Sequence, residues 1–225
     1  MERHGDIMNI SETRKTAIMI DGGFYRVRAR ELWGNKNPKD RADELVEYCI
    51  RHIDNPREPR DLYRILYYDC PPLDKKLIHP LTAKTIDASE LVGNKWVADF
   101  HSSLVDKRKV AMRMGELATG QAKYVLAANV IQDLVQKKRD VASLVERDFV
   151  IDAKQKGVDL RIGLDAASLA YGRYVNQIVL IAGDSDFVPV AKMARRHGID
   201  FILDPLKNHV KRSLLEHVDG IESYA

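Results

Sequence analysis

Two short apolar runs, each ending in a turn that carries aspartate, constrain the fold of this chain most. Residues 16–20 read Thr-Ala-Ile-Met-Ile and stop at Asp21, and residues 177–182 read Gln-Ile-Val-Leu-Ile-Ala before the turn that holds Asp184 and Asp186. An apolar run of this length bounded by turn residues predicts a strand that is buried on both faces. Strands of this kind belong to parallel sheets covered by helices.

The rest of the pattern alternates between strand and helix. Apolar spacing predicts strands over 62–68, 109–115 and 199–203 and helices over 41–53, 159–170, 186–197 and 210–218. Strands that alternate with helices predict βαβ units around a mainly parallel sheet, so the predicted fold class is α/β. We expect Asp159 and Asp186 to begin their helices as N-caps.

The length of 225 residues fits one domain, which we predict over 16–225, after a flexible tail formed by residues 1–15. Between 70 and 150 the pattern predicts mostly helices, one over 86–105 with Asp87 as its N-cap and one or two over 121–150. The apolar positions from Val125 to Val145 leave two alternatives open, a homodimer face or packing on the core of the same chain.

Composition excludes several classes of protein. The chain has two cysteines and no CxxC pair, so a disulfide framework or a cysteine-rich zinc site is excluded. No apolar run approaches the roughly 20 residues of a membrane span, and the N-terminus is too polar for a signal peptide, so we expect a cytoplasmic protein without membrane contact. P-loop, GxGxxG and GxSxG motifs are absent from the sequence.

The aspartates predict a cation site. Ligands bind outside the carboxyl ends of parallel strands, so Asp21, Asp184 and Asp186 are expected to converge if their strands are neighbours. Their mutual repulsion is costly unless a cation neutralises it, and Mg²⁺ prefers oxygen ligands. Asp159 is the preferred additional ligand, whereas Asp165 is expected to be either a buried hydrogen-bonding partner or a group held toward the cleft. The alternative is that these aspartates only cap helices and turns.

Three motifs resemble, in this order, the NYN family of PIN-like nucleases, and within it the LabA-like branch. They are Ile18-Met-Ile-Asp21-Gly22-Gly23, Lys156-Gly-Val-Asp159 and the stretch 178–190 around Gly183-Asp184-Ser185-Asp186. The resemblance implies a Rossmann-like, three-layer fold with a central, mainly parallel sheet. It also implies hydrolysis of RNA phosphodiester bonds with Mg²⁺ or Mn²⁺, with 5′-phosphate and 3′-hydroxyl products, and a family-variable, largely helical insertion at about 70–150.

The resemblance also implies the site residues. Carried over by position, the catalytic and metal-binding set is Asp21, Asp159, Asp184 and Asp186, and Asp165 matches a further acidic position. Ser185 lies between two of these ligands, where its hydroxyl either caps the turn, as we prefer, or contacts phosphate. The sequence departs from the family at Phe24, because the first motif usually has Asn there and a phenyl ring cannot orient a carboxylate or a phosphate.

Basic and aromatic side chains close to these motifs are candidates for binding single-stranded or structured RNA. The set consists of Tyr25, Arg26, Lys156, Arg161 and Lys192. Cationic side chains neutralise phosphates, and a tyrosine ring can stack on a base. The alternative is that the charged members form an ordinary solvated surface.

Other functions remain as competing hypotheses. A haloacid-dehalogenase-like phosphatase needs Asp-x-Asp after its first strand, where this chain has Asp21-Gly22-Gly23. A Toprim-like domain needs a glutamate after an early strand, where this chain has Asp21. The competing hypothesis from another class is a non-catalytic RNA-binding or protein-interaction module that retains the fold, and Phe24 is the residue that favours it.

Overall fold

The structure is a computed structural model that describes residues 13–54 and 58–225. Its centre is a six-stranded sheet in which every pair of neighbouring strands is parallel, as the sequence predicts. In spatial order the strands are β12 (Gly220–Ile221), β11 (Asp200–Asp204), β10 (Gln177–Ile181), β1 (Arg14–Asp21), β2 (Arg60–Asp69) and β5 (Val110–Met114).

Helices and short strand pairs complete the chain. The helices are α1 (Gly22–Trp33), α2 (Pro38–Ile53), α3 (Val92–Val105), α4 (Ala128–Val135), α5 (Val158–Tyr171), α6 (Val188–Arg196) and α7 (Arg212–Leu215). Three antiparallel pairs lie outside the central sheet: β3 (Lys76–Ile78) with β4 (Thr85–Asp87), β6 (Glu116–Leu117) with β9 (Gln155–Lys156), and β7 (Lys123–Leu126) with β8 (Phe149–Asp152).

The central sheet separates two apolar layers. Alternate residues of β1 point to opposite faces, so Ala17 and Met19 join one layer while Ile18 and Ile20 join the other. Helices α5 and α6 pack on the first face, and α1, α2 and α3 pack on the second. This is the three-layer α/β architecture expected of a PIN-like fold. All five residues of β10 are buried, as the apolar run predicts.

The register of the sheet brings the ends of three strands together. Ile20 of β1 lies opposite Ile181 of β10, and Asp21 lies opposite Tyr68 of β2. The segments that follow β1, β2 and β10 therefore leave the sheet at the same edge, next to one another. This carboxyl edge is where a parallel sheet binds its ligands.

The helical prediction for residues 121–150 is wrong over most of its length. Only α4 is an α-helix there, while β7 and β8 pair as antiparallel strands at its two ends. The side chains of Tyr124 and Ile151 pack on a small separate cluster that includes Leu77 and Ala122. Apolar spacing alone did not distinguish this cross-strand packing from a helix, because apolar residues from both strands face the same cluster.

Several boundaries also differ from the sequence prediction. The last helix, α7, has only four residues. Helix α3 begins at Val92, because Asp87 ends β4 and caps a single 3₁₀ turn instead of the helix. Residues 1–12 of the predicted tail lie outside the described residues, and β1 already begins at Arg14. Among the helices in the two described ranges, none is long and apolar enough to cross a membrane.

Gly22 allows α1 to start directly under the sheet. A Cβ atom at Gly22 would lie 2.6 Å from the ring of Tyr67, and Tyr67 is fully buried. The ring has no space into which it can move, since it packs edge-on against Phe100. The close approach of α1 to β2 therefore depends on the missing side chain at this position.

We expect Gly22→Ala to destabilise the fold by about 1–3 kcal/mol, the usual cost of overpacking a core. The matched control is Gly163→Ala within α5, where the new methyl group would meet Val190 at an ordinary 3.6 Å and the loss of backbone freedom should stabilise the helix by about 0.5–1 kcal/mol. Urea unfolding of both variants measures the difference, and equal effects would contradict this account of the packing.

Candidate active site at the carboxyl edge of the sheet

Asp21 ends β1 and begins α1. Its backbone is extended, and its carboxylate Oδ1 accepts a hydrogen bond of 3.1 Å from the backbone N–H of Phe24. This contact makes Asp21 the N-cap of α1, which satisfies a free helix N–H and fixes the orientation of the carboxylate. Asp21 is therefore a helix cap, but the capping hydrogen bond uses only one of its two carboxylate oxygens and leaves the other for a ligand.

Asp184 and Asp186 follow β10 in a single 3₁₀ turn over Ser185–Phe187. The cap of this turn is Asp184, whose Oδ1 accepts a hydrogen bond of 3.1 Å from the N–H of Asp186. Asp186 lies inside the turn, so the prediction that it is the N-cap of the next helix is wrong. Both carboxylates are exposed to solvent at the carboxyl edge.

Asp159 reaches the same edge from α5. The N-cap position of this helix is Gly157, which has a left-handed φ of 77°, so Asp159 lies in the first turn and is not the N-cap that the sequence predicts. A carboxylate in the first turn is favoured by the helix dipole. Besides burial, the charge of Asp159 raises the pKa of Asp21, and the charges of Asp184 and Asp186 raise the pKa of Asp159, so α5 brings Asp159 next to the other aspartates.

Asp165 lies further along α5 and already has partners. Its Oδ2 accepts a hydrogen bond of 2.9 Å from the hydroxyl of Tyr68 and one of 2.8 Å from Nε of Arg113. These contacts tie α5 to β2 and β5 at the side of the acidic cluster. Of the two sequence alternatives, the hydrogen-bonding partner describes this position.

Burial and the neighbouring carboxylates raise the pKa of two members of the cluster, Asp21 and Asp159. Burial raises the pKa of Asp21 above its ordinary value, the charge of Asp159 raises it further, and the N–H groups of Phe24 and Gly23 oppose the shift. Burial followed by the charges of Asp184 and Asp186 raises the pKa of Asp159. Desolvation and like charge both disfavour ionised carboxylates, so at neutral pH the cluster stores repulsion that a bound cation would relieve.

The oxygen atoms of the acidic cluster suit a divalent cation. The four carboxylates, of which Asp21 and Asp159 have raised pKa values, match the charge and the oxygen chemistry that Mg²⁺ or Mn²⁺ prefers. In the part of the chain that the structure describes, no three Asp, Glu, His or Cys side chains are close enough to hold an ion together. The arrangement therefore fits an ion held by one or two carboxylates and completed by water or phosphate oxygens, as is common for Mg²⁺.

A cavity of about 410 Å³ opens between Asp21 and Asp184, and the sequence analysis missed two of its lining residues. These are Asn208 and Lys211, which follow β11. Nζ of Lys211 lies 3.4 Å from Oγ of Ser185, next to the acidic cluster. The signal that would have found them is the rule already used for Asp21, because the loop after Asp204 also leaves the carboxyl edge.

Asp69, at the end of β2, is a further residue that the sequence analysis missed. Its side chain is fully buried, forms an ion pair with Arg26, and accepts hydrogen bonds from the N–H of Cys70 at 2.8 Å and from Nε2 of His101 at 3.0 Å. Burial lowers the pKa of His101 to about 4, and the charge of Arg26 adds to the effect, so His101 is a neutral donor. The network holds Arg26 beside Asp21, whose pKa it lowers slightly.

The predicted substrate-binding residues are only partly at this edge. Arg26 lies at the edge. Lys156 and Arg161 are exposed and lie close to Cys70, because the backbone of Lys156 and the charge of Arg161 both act on the pKa of its thiol. Two predictions need correction. Tyr25 is fully buried in the core under α1 and cannot stack on a base. Lys192 lines a cleft with Arg14 and Asp200, which begin their strands at the opposite edge of the sheet.

Comparison with known proteins places the chain in a family. The NYN domain model matches residues 85–221, which is more than half of the chain. This range includes Asp159, Asp184 and Asp186 and begins after Asp21, so the position of Asp21 rests on the register of β1. No curated protein sequence matches the chain.

A solved structure of a protein of unknown function from Vibrio parahaemolyticus RIMD 2210633 is similar over 97% of this chain and 97% of its own, at 14% identity and with a TM-score of 0.49. NYN domains are PIN-like nuclease domains that generally depend on divalent metal ions. With a three-layer α/β fold, a parallel sheet and an acidic carboxyl edge, the chain belongs to the NYN domain family.

Proposed function

We propose that this protein is a ribonuclease of the LabA-like branch of the NYN family, which hydrolyses RNA phosphodiester bonds with Mg²⁺ or Mn²⁺. The observation that carries the proposal is the convergence of Asp21, Asp159, Asp184 and Asp186 at one edge of the sheet, where Asp21 and Asp159 have raised pKa values. Capping does not explain the whole set, because Asp159 is not the N-cap of α5 and still lies beside the other three carboxylates.

The chemistry of a bound divalent ion suits this cluster. Such an ion would neutralise the carboxylates, lower the pKa of water and stabilise the charge of the phosphoryl group during in-line displacement. Asp21 and Asp184 have one oxygen fixed by a backbone N–H and the other available, so the protein holds them in a defined orientation before ligands bind. Ser185, between Asp184 and Asp186, is oriented by Lys211.

The basic side chains around the cluster would bind the phosphates. Lys211 and Arg26 lie on opposite sides of Asp21, the first in the loop after β11 and the second on α1. An acidic centre repels a polyanion, so cations on both sides are needed to hold the strand across it. Lys156 and Arg161, at the start of α5, extend this positive rim.

Asn208 supplies an amide that the first motif lacks. Phe24 stands where the family usually has Asn, and its ring lies directly on Gly183, so it closes the gap between α1 and β10. Asn208 lines the same cavity as Phe24, Asp21 and Asp184. We infer that its side-chain amide orients a carboxylate or a phosphate oxygen in place of the missing residue.

The second candidate function is a non-catalytic RNA-binding module, and the apolar surface of Phe24 inside the cavity favours it. The remaining proposals concern assembly and organisation. A homodimer through α4 and the residues after it is supported by the exposure of Ile131, Val135 and Val141. The single domain over 16–225, a variable segment at about 70–150 and a cytoplasmic location are proposed from the sequence.

A cleavage assay tests the catalytic proposal. Purified protein is incubated with end-labelled single-stranded RNA, structured RNA and DNA in Mg²⁺, Mn²⁺ or EDTA, beside Asp184→Asn. We expect cleavage that needs metal and a rate at least about 100-fold lower in the variant, since an electrostatic group at the reacting centre is worth several kcal/mol. RNA that stays intact in every metal, or a variant that cuts equally well, would contradict the ribonuclease proposal.

Lys211→Ala tests the phosphate contact at the cavity. Loss of one cation beside the phosphates should weaken RNA binding about fivefold at low salt, which corresponds to ~1 kcal/mol. The matched control is Lys138→Ala, an exposed lysine in the loop after α4 that does not line the cavity at Asp21 and Asp184. Fluorescence anisotropy in EDTA measures both variants, and an equal loss of affinity would show that Lys211 acts only through net charge.

Asp21→Asn tests the stored repulsion. The folded-state pKa of Asp21 is raised, so its ionised form costs stability at neutral pH, and the cost disappears as the pH falls and the group is protonated. Asparagine keeps the capping oxygen. We expect the melting temperature at pH 7 to rise by about 2–4 °C, the shift that ~1 kcal/mol gives in a chain of this size.

The advantage of Asp21→Asn should shrink as the pH is lowered through the titration of the aspartate. The control is Asp99→Asn on the exposed surface of α3, which should leave the melting temperature unchanged. Differential scanning calorimetry at several pH values gives the comparison. A melting temperature at pH 7 that falls in Asp21→Asn would mean that the cluster is stabilising and that no repulsion is stored there.

A further inference from the structure

A groove of about 500 Å³ lies between α1 and α3, beside the acidic cluster. From α1 it is lined by Arg26, Val27 and Arg30, from α3 by Val92 and Trp96, and from the loop before α2 by Lys36. Its wall is mainly apolar, and within 13–54 and 58–225 no Asp or Glu lines it. The role proposed above for the aspartates does not use this groove.

The apolar wall is exposed, and none of the residues that the structure describes covers it. Val92 is 86% exposed and Val27 is 48% exposed, although both are large apolar side chains. Trp96 is held in place, because its ring stacks on Phe100 at 5.1 Å and its indole N–H donates a hydrogen bond of 2.9 Å to the backbone oxygen of Lys36. A fixed indole at the wall of an open slot is suited to stacking against a flat aromatic ligand.

The charges of the groove specify the rest of the ligand. Arg26 is paired with Asp69 and Lys36 with Glu44, while Arg30 is exposed and has no carboxylate partner among the residues that the structure describes. Arg26 and Arg30 are one helical turn apart, about 6 Å along α1. The groove therefore offers cationic groups beside a flat apolar surface, which matches the phosphate and the base of a nucleotide.

The groove is also continuous with the acidic cluster. Arg26 lines it and at the same time lies beside Asp21, whose pKa it affects. Along the carboxyl edge the order is Lys211, then Asp184 and Asp21, then Arg26 and the groove. A strand whose phosphate lies at the aspartates can thus place a neighbouring nucleotide between α1 and α3.

We propose that this groove binds an unpaired nucleotide of single-stranded RNA, with the base against Trp96 and the phosphate at Arg30. The inference rests on the proposed ribonuclease function and specifies its substrate, because a base can enter the slot only when it is not paired. Val27 and Val92 exclude water from one side of the base, and Asn35 supplies an uncharged amide among the described residues that line the groove.

Quenching of Trp96 fluorescence tests the proposal. The chain has two tryptophans, so the measurement uses the full chain with Trp33→Phe, which leaves Trp96 as the only indole. The probe is a single-stranded 12-mer of oligouridylate in EDTA, where no cleavage occurs. We expect saturable quenching, an affinity about tenfold lower in Arg30→Glu, and a smaller loss in Arg30→Gln, which removes the charge without reversing it.

The matched control is Arg196→Glu, the same charge change on an exposed arginine in the cleft at the opposite edge. It should change the affinity less than about twofold. Absence of quenching, equal losses in Arg30→Glu and Arg196→Glu, or equally strong quenching by an RNA duplex or by an acidic peptide would overturn the proposal. Circular dichroism of each variant shows that it is folded.

The metal-dependent cleavage assay separates this inference from the proposed function. Cleavage by the Trp33→Phe protein without quenching by the oligonucleotide would overturn the groove alone. Quenching that is lost in Arg30→Glu, in a protein that cuts no RNA in any metal, would support the groove as an RNA site and overturn the ribonuclease proposal.

Discussion

The parallel pairing of β1 with β10 is the constraint on which the rest of the structure depends. It places Ile20 opposite Ile181, so the aspartates that follow the two strands must share one edge of the sheet. Both strands are buried on both faces, and a shift of one residue would move every side chain to the wrong layer. The apolar cores on the two faces therefore fix the register, and the register fixes the acidic cluster.

Repulsion among the clustered carboxylates destabilises the fold, and neighbouring groups reduce that repulsion. Backbone N–H groups stabilise one oxygen each of Asp21 and Asp184, and Arg26 lies close enough to Asp21 to offset part of its repulsion. Asp69 and the neutral His101 hold Arg26 in that position. These contacts leave part of the repulsion among the aspartates in place. A bound cation would remove that repulsion, which is why such a cluster favours cation binding.

The sequence predicted the parts of the fold that follow from strong local patterns. The parallel sheet, the helices α2 and α5 and the meeting of aspartates at one edge follow from apolar runs and strand ends, since these signals are short in range. The pairing of β7 with β8 joins residues about 25 apart, so periodicity within a window could not detect it. The burial of Tyr25 was missed for a related reason, because only the packed position of α1 decides which face is covered.

The residues missed at the site also depend on tertiary structure. Asp69, Asn208 and Lys211 lie in stretches without a recognisable motif, and they join the site only because β2 and β11 end at the same edge as β1 and β10. Lys192 shows the opposite error. It is close to Asp186 in sequence, so it was predicted to lie beside the acidic cluster, but it lines the cleft at the other edge of the sheet. The six residue steps from Asp186 to Lys192 cover about 9 Å at the helical rise, which is enough to separate the two.

The central claim is that the acidic cluster at the carboxyl edge binds a divalent cation through one or two of its carboxylates. The most direct measurement is an anomalous difference map from crystals grown with millimolar Mn²⁺. The account predicts a peak at the carboxyl edge, bonded to at least one of Asp21, Asp159, Asp184 and Asp186 and otherwise to water. A map without a peak there, in crystals where the site is open to solvent, would contradict the account.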